Sequence, residues 1–203
     1  MPHIDYYFSP LSVFTYFAGD RLEQIAAQHG ATIRYKPFDI MVLFDRLGAP
    51  KPADRPVGRS VYRMQELRRI RDELGLTMHE KPDFWPTNAA PAAYAIIAAQ
   101  EVKDATGEGD ICALIGSLFK ATWEENRDIA QDDVITHALK AGGFDPALAT
   151  TGLLAGAETY PKNTEDAFAS GVFGSPFYIV TDTDERFWGQ DRLDQLDTYL
   201  GTL

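Results

Sequence analysis

The stretch Ile4-Asp5-Tyr6-Tyr7-Phe8-Ser9-Pro10-Leu11-Ser12 decides how this chain is read. Ile4 to Phe8 is short and rich in aromatics, and Ser9-Pro10 stops it, which is the pattern of a buried strand. Ser9 is then a helix N-cap candidate, with Pro10 at the first helical position, where the missing N–H is no loss. Leu11, Phe14, Ala18, Leu22 and Ile25 follow at spacings of three and four, so one amphipathic helix is predicted up to Gly30. Ala31 to Pro37, with Ile33 and Tyr35 alternating against polar neighbours, predicts a second strand. Strand, helix and strand in this order require a parallel pair joined by a crossover helix.

Beyond residue 40 the pattern changes. Gly48, Pro50, Pro52 and Pro56 mark residues 48–56 as a loop. A strongly charged helix is predicted from Val57 to about Leu74, with Val61, Met64, Leu67, Ile70 and Leu74 on one side and Gly75 closing it. After the Pro-rich segment Pro82 to Pro86, helices are predicted from about Ala89 to Lys103, Ile111 to Asn126, Asp132 to Ala141 and about Pro146 to Ser170. No strand pattern occurs from about residue 40 to residue 170. The end returns to β character: Pro176 to Val180 and Arg186 to Trp188 read as a hairpin around Asp182-Thr183-Asp184. A last helix follows from Asp191 to Leu203, with Leu193, Leu196 and Leu200 inward.

Composition narrows the function. Of the 203 residues 45% are hydrophobic and 24% charged, enough for a real core and against disorder. The net charge of −11 disfavours phosphate backbones and anionic lipid as partners, so neither nucleic acid nor membrane is expected. Cys112 is the single cysteine, so neither an internal disulfide nor a CxxC redox pair can form; it reads as a small apolar residue on a buried helix face. His3, His29, His79 and His137 show no metal-ligand spacing, and no metal is expected. Met1-Pro2-His3-Ile4-Asp5 carries neither a basic n-region nor a long apolar run, so a cytoplasmic setting is expected.

Three segments carry a family resemblance. Tyr6-Tyr7-Phe8-Ser9-Pro10-Leu11-Ser12 resembles the strand-to-helix motif of the 2-hydroxychromene-2-carboxylate isomerases and the related kappa-class glutathione transferases. Gly171-Val172-Phe173-Gly174-Ser175-Pro176 resembles their turn before the third strand. Phe187-Trp188-Gly189-Gln190-Asp191-Arg192-Leu193 is similar to the segment that opens their last helix. Arg59, Tyr62, Glu66, Arg69 and Gly75 match a pattern in their helical middle. The resemblance covers essentially the whole chain. It implies an α/β, DsbA-like thioredoxin fold (βαβ, then ββα) with a large all-helical insertion between strands 2 and 3. The thioredoxin-like part would be residues 1–40 and 170–203, and the inserted helical domain residues 41–169.

The resemblance also implies chemistry. Ser9 stands where redox members of the fold carry their attacking cysteine, so the thiol must come from glutathione, whose sulfur would accept the serine hydroxyl; a plain helix cap is the other reading. Ser12 is a second donor candidate or a first-turn solvating residue. Pro176 matches the fold's cis-proline, with Ser175 and Val172 lending backbone groups to the glutathione peptide. Asp191 would pair with the γ-glutamyl ammonium and also cap its helix; Gln190 beside it departs from the usual Asn or Ser. Arg59 stands for the family's lysine and would meet a carboxylate of glutathione or substrate, or else is a solvated arginine. Asn88 matches a family asparagine and could equally be an N-cap, while Ala49 or Pro50 replaces another. Phe8, Leu11, Phe173 and Trp188 would form an apolar wall for a flat aromatic substrate. The implied activity is a glutathione-dependent cis-trans isomerisation of 2-hydroxychromene-2-carboxylate or a similar unsaturated aromatic oxo acid, by a homodimer. The rivals are a kappa-like glutathione transferase and a non-catalytic thioredoxin-like binding protein.

Overall fold

The computed structural model describes residues 1–50 and 54–203. Four strands form one mixed sheet in the order β2-β1-β3-β4: β1 (His3–Phe8), β2 (Thr32–Pro37), β3 (Phe177–Val180) and β4 (Glu185–Trp188). β1 and β2 run parallel with Ile4 opposite Ile33 and Tyr6 opposite Tyr35. β3 is antiparallel to β1 and to β4. The expected order of βαβ, a helical block, a hairpin and a helix is therefore the observed one, and no strand lies between β2 and β3 among the described residues.

The crossover between β1 and β2 is two helices, α1 (Val13–Ala18) and α2 (Arg21–His29), rather than the one predicted. Gly19, at φ 58 and ψ −134, takes a backbone conformation that side chains oppose, and it breaks the rod there. The apolar stripe continues across the break, so periodicity alone could not show it: Phe17, Ala18 and Leu22 are all buried.

A helix missing from the sequence reading, α3 (Ile40–Arg46), follows β2. α4 (Val57–Glu73), α5 (Ala90–Thr106), α6 (Ile111–Trp123), α7 (Asp132–Ala141), the short α8 (Leu148–Thr151) and α9 (Leu153–Ala169) complete the helical block. The expected Pro146–Ser170 helix is thus two pieces. The 48–56 loop prediction is in part untested, since Pro52 lies outside the described residues. On α4 only Leu67 and Ile70 of the predicted stripe are buried; Met64 packs partly buried against the core, and Val61 and Leu74 are exposed. α10 (Leu193–Leu200) closes the chain, and the 0–3% exposure of Leu193, Leu196 and Leu200 is worth about 2 kcal/mol per side chain.

One apolar core covers one face of β1, where Ile4, Tyr6 and Phe8 share it with Ala92 and Ile96 of α5 and with Leu118 of α6; a second cluster around Tyr7, Phe177 and Ile179 covers the other. On this other face of β1 lies a polar tie. Lys36 Nζ reaches Asp5 Oδ2 at 2.7 Å and Asp166 Oδ2 at 2.6 Å, and the Tyr7 hydroxyl donates to Asp166 at 2.7 Å. Burial alone would raise Asp166, but the hydrogen bonds from Lys36 and Tyr7 prevail and hold its carboxyl below the usual range. The tie fixes α9 to the sheet, and α9 leads directly into the turn that carries Ser175.

Candidate functional site

β1 ends at Phe8 and the chain turns at once. Ser9 Oγ accepts the Leu11 N–H at 3.3 Å, and the Ser9 carbonyl accepts the Ser12 N–H at 3.0 Å. Ser12, not Ser9, caps α1: its Oγ accepts the Thr15 N–H at 3.3 Å. The predicted cap position is corrected by three residues because Pro10 and Leu11 form a turn before any helical bond closes.

The peptide bond between Ser175 and Pro176 is cis. Ser175 Oγ accepts the Ser9 N–H at 2.8 Å and lies 3.0 Å from Thr15 Oγ1, while the Ser175 carbonyl accepts the Ser12 hydroxyl at 3.1 Å. Ser9 and Ser175 are buried, so these bonds are shielded from water and lock the β1 turn to the cis turn. The Ser175 N–H donates to no group among the described residues. The Val172 N–H is committed to the Ala167 carbonyl at 2.9 Å, and its side chain is fully buried, so only its carbonyl could face a ligand.

A cleft of about 250 Å³ opens beside this unit, lined by Ser9, Leu11, Asp39, Ile40, Met41, Thr87, Asn88 and Tyr160 among others. Three predicted residues, Ser9, Leu11 and Asn88, thus meet at one cavity. Asn88 Oδ1 accepts the Ala90 N–H at 3.1 Å, which leaves its amide nitrogen as the group to offer. Burial first, then the Asp39 charge, raise Tyr160, so it lines the cleft as a neutral phenol.

Other predicted residues lie elsewhere. Phe8 is 0% exposed and stacks on Tyr6 at 4.7 Å, so it supports the site from beneath and forms no part of a substrate wall. Trp188 and Phe173 are half-exposed and meet edge-on at 4.8 Å, flanking the cis turn rather than lining the cleft. Gly174 lies under the indole, where a Cβ would collide with Trp188 Nε1. Arg59 is exposed on α4, outside the cleft lining.

Gln190 and Asp191 stand in a 3-10 turn (Gln190–Arg192) ahead of α10, and this turn packs against α1. The Gln190 carbonyl accepts Arg21 Nη1 at 3.3 Å. Asp191 makes no capping bond, so that half of its expected role is absent; its carboxylate is 59% exposed and meets only Arg192, at 3.5 Å, among the described residues. Gly189 has φ 107, and a Cβ there would collide with Asp191 Oδ1, so the glycine lets the carboxylate lie back over the turn. Cys112 is partly buried on α6; burial first, then the Glu23 charge, push its thiol well up, which makes it an inert neutral group.

Sequence reasoning missed Asp39, Ile40, Met41, Thr87 and Tyr160. A signal for the first three was present: Asp39 followed by Ile40-Met41-Val42-Leu43-Phe44 is a cap before an apolar run. Asp39 Oδ1 indeed accepts the Met41 and Val42 N–H groups at 2.9 and 3.1 Å. Tyr160 sits in a helix interior, and nothing in its neighbours marks it.

Ser9 and Ser175, hydrogen-bonded to each other, offer a hydroxyl and, among the described residues, a free N–H, and Asp191 offers an exposed carboxylate on the turn before α10, groups whose chemistry fits a thiol peptide with a free ammonium. Residues 3–201 match the DSBA-like thioredoxin domain. A 2-hydroxychromene-2-carboxylate isomerase of Pseudomonas putida is 30% identical over 98% of this chain and 95% of that one. Glutathione S-transferase kappa 1 of Caenorhabditis elegans is 26% identical over 95% of this chain and 88% of that one. Among solved structures, a 2-hydroxychromene-2-carboxylate isomerase superposes with a TM-score of 0.75 at 26% identity, covering 98% of this chain and 95% of the other.

Proposed function

The chain belongs to the DSBA-like thioredoxin-domain family, among its 2-hydroxychromene-2-carboxylate isomerases, and on that premise we propose a glutathione-dependent isomerase of an unsaturated aromatic 2-oxo acid. The observation that carries this reading is Ser9 at the floor of a 250 Å³ cleft, fastened through its own amide to the residue before the cis-proline. A hydroxyl stands there where a redox enzyme needs a thiol, and the only cysteine, Cys112, lies on another element. Bound glutathione would supply the chemistry, by reversible thiolate addition to a conjugated double bond that frees its two ends to rotate.

The protein's part is to bind and orient. Ser9 would donate its hydroxyl to the sulfur and hold it as thiolate. The Ser175 N–H and the Val172 carbonyl would pair with the peptide, Asp191 with the ammonium, and Gln190 with the neighbouring carboxylate. Arg59 would meet the remaining carboxylate. Leu11, Met41 and Tyr160 would hold the flat ring out of water, and the Asn88 amide would reach a polar substituent. On this reading residues 1–40 and 170–203 carry the glutathione site and the inserted helices 41–169 carry most of the substrate site. The homodimer and the cytoplasmic setting belong to the same proposal.

The test is to follow substrate and free thiol together during turnover of 2-hydroxychromene-2-carboxylate or its trans product. The proposal expects conversion that requires glutathione with the thiol count unchanged. Loss of one thiol per substrate would instead show the transferase, and no glutathione requirement would overturn the reading.

A further inference from the structure

The chain contains twelve arginines among 30 acidic residues. Nine of the twelve are ion-paired with a carboxylate. Among the described residues, the three that are not are Arg55, Arg59 and Arg63, spaced by four, with Arg55 two residues before α4 and the other two in its first turns. In so acidic a protein, three neighbouring guanidiniums without a counter-ion are a departure that chance pairing would remove. They also feel one another: burial first, then Arg59, lower Arg55, and burial first, then Arg55, lower Arg63. Like charges this close repel one another, and a bound anion relieves that repulsion.

Their placement says what the anion is attached to. The Arg63 guanidinium lies over the rings of Trp85 at 5.5 Å and Phe14 at 5.9 Å. The Trp85 indole N–H donates to the Leu11 carbonyl at 2.8 Å, and Leu11 lines the cleft. Arg55 lies over the Phe44 ring at 5.3 Å, on the helix whose first residues, Ile40 and Met41, also line the cleft. Arg63 is thus joined through Trp85 to a lining residue, and Arg55 packs on the helix that supplies two others. A guanidinium held over aromatic rings can still present its N–H groups to a bidentate acid. We infer that Arg63, supported by Arg55, is the specificity-determining residue of the cleft, and that it takes the carboxylate of a planar conjugated acid whose apolar body passes Leu11 into the cavity. The word substrate for that acid rests on the function proposed above; the anion site itself rests on the arginine row.

The experiment is a thermal-shift titration of the full chain without glutathione, using trans-cinnamate, its neutral amide and inorganic phosphate. Cinnamate should raise the melting temperature, the amide and phosphate should not, and Arg63→Gln should raise the cinnamate concentration needed at least tenfold. Should Arg63→Gln not fold, Arg63→Lys and Arg55→Gln carry the same test, with weaker cinnamate binding expected in both. An equal response from wild type and variants, or phosphate matching cinnamate, overturns the inference. Glutathione is titrated separately by calorimetry. Glutathione binding without a cinnamate response sinks this inference alone, whereas a cinnamate response without glutathione binding sinks the proposed cofactor and leaves the acid site standing.

Discussion

Around Ser9 the polar side chains find partners inside the protein, whereas the guanidiniums of Arg55, just before α4, and of Arg59 and Arg63, on it, face no carboxylate among the described residues. The Ser9 side joins Ser9, Ser12, Thr15 and Ser175 through four bonds of 2.8–3.3 Å, two buried and two partly buried. The α4 side also leaves Val57, Val61 and Tyr62 more than half exposed. The difference teaches a division of labour. A group that must hold a reacting atom within a fraction of an ångström is best built on matched, water-free bonds. A surface left with unmatched charge and apolar side chains is one whose partners come from outside the chain.

The largest expected break in this contrast is chemical. Ser9→Ala removes one hydroxyl donor and should lower turnover by roughly 10²–10³, the usual loss for one preorganised donor. Because Ser9 Oγ accepts only the Leu11 N–H among the described residues, the melting temperature should stay within a few degrees of wild type. A steady-state assay beside a thermal melt checks both halves.

Ser175→Ala acts on the same unit through stability. It strips the acceptor from the buried Ser9 N–H and should cost about 1–3 kcal/mol, measured by denaturant titration. A loss below about 0.5 kcal/mol would mean the lock between the two turns is unimportant.

Glu23 sharpens the comparison, since it is an imperfection on the well-matched side. Its Oε1 accepts the Tyr35 hydroxyl at 3.0 Å, but Oε2 is sealed from water without a partner. Burial is the main cause that raises its carboxyl. A raised folded value favours the protonated acid, so this contribution is fully present below the ordinary carboxylate range and is lost as pH rises through the folded value. Glu23→Gln should therefore melt like wild type near pH 4 and higher than wild type at pH 8, by about 1 kcal/mol. Equal melts at both pH values would contradict the assigned cause.

The smallest effect belongs to the open side. Val61→Ser should change stability by no more than about 0.5 kcal/mol, because that side chain covers nothing within the chain. A larger loss in the isolated monomer would show that α4 is packed after all.

The fold could be read from the sequence where one residue decides one feature. Ser9-Pro10 ended β1, Asp132 opened α7, and Leu193, Leu196 and Leu200 marked the inward face of α10. The reading failed where a backbone angle or a tertiary neighbour decides. Gly19 breaks the crossover while the apolar stripe runs on, and Phe8 looks like a wall residue until the sheet covers it. In the candidate cleft, motif order named Ser9, Leu11 and Asn88 among the lining residues, but Tyr160 and Met41 reach it from segments whose approach depends on how α3 and α9 pack. The arginine row has the simplest explanation: a missing carboxylate partner can be recognised only once every other arginine has been seen to have one.

Calorimetry of glutathione binding to the wild type and to Asp191→Ala tests the central claim most directly. The account predicts binding to the wild type, weakened at least tenfold in the variant, since the exposed Asp191 carboxylate would pair with the tripeptide's ammonium. No binding to the wild type would contradict it, and equal binding by both proteins would take the tripeptide away from the turn at Gly189 and Asp191.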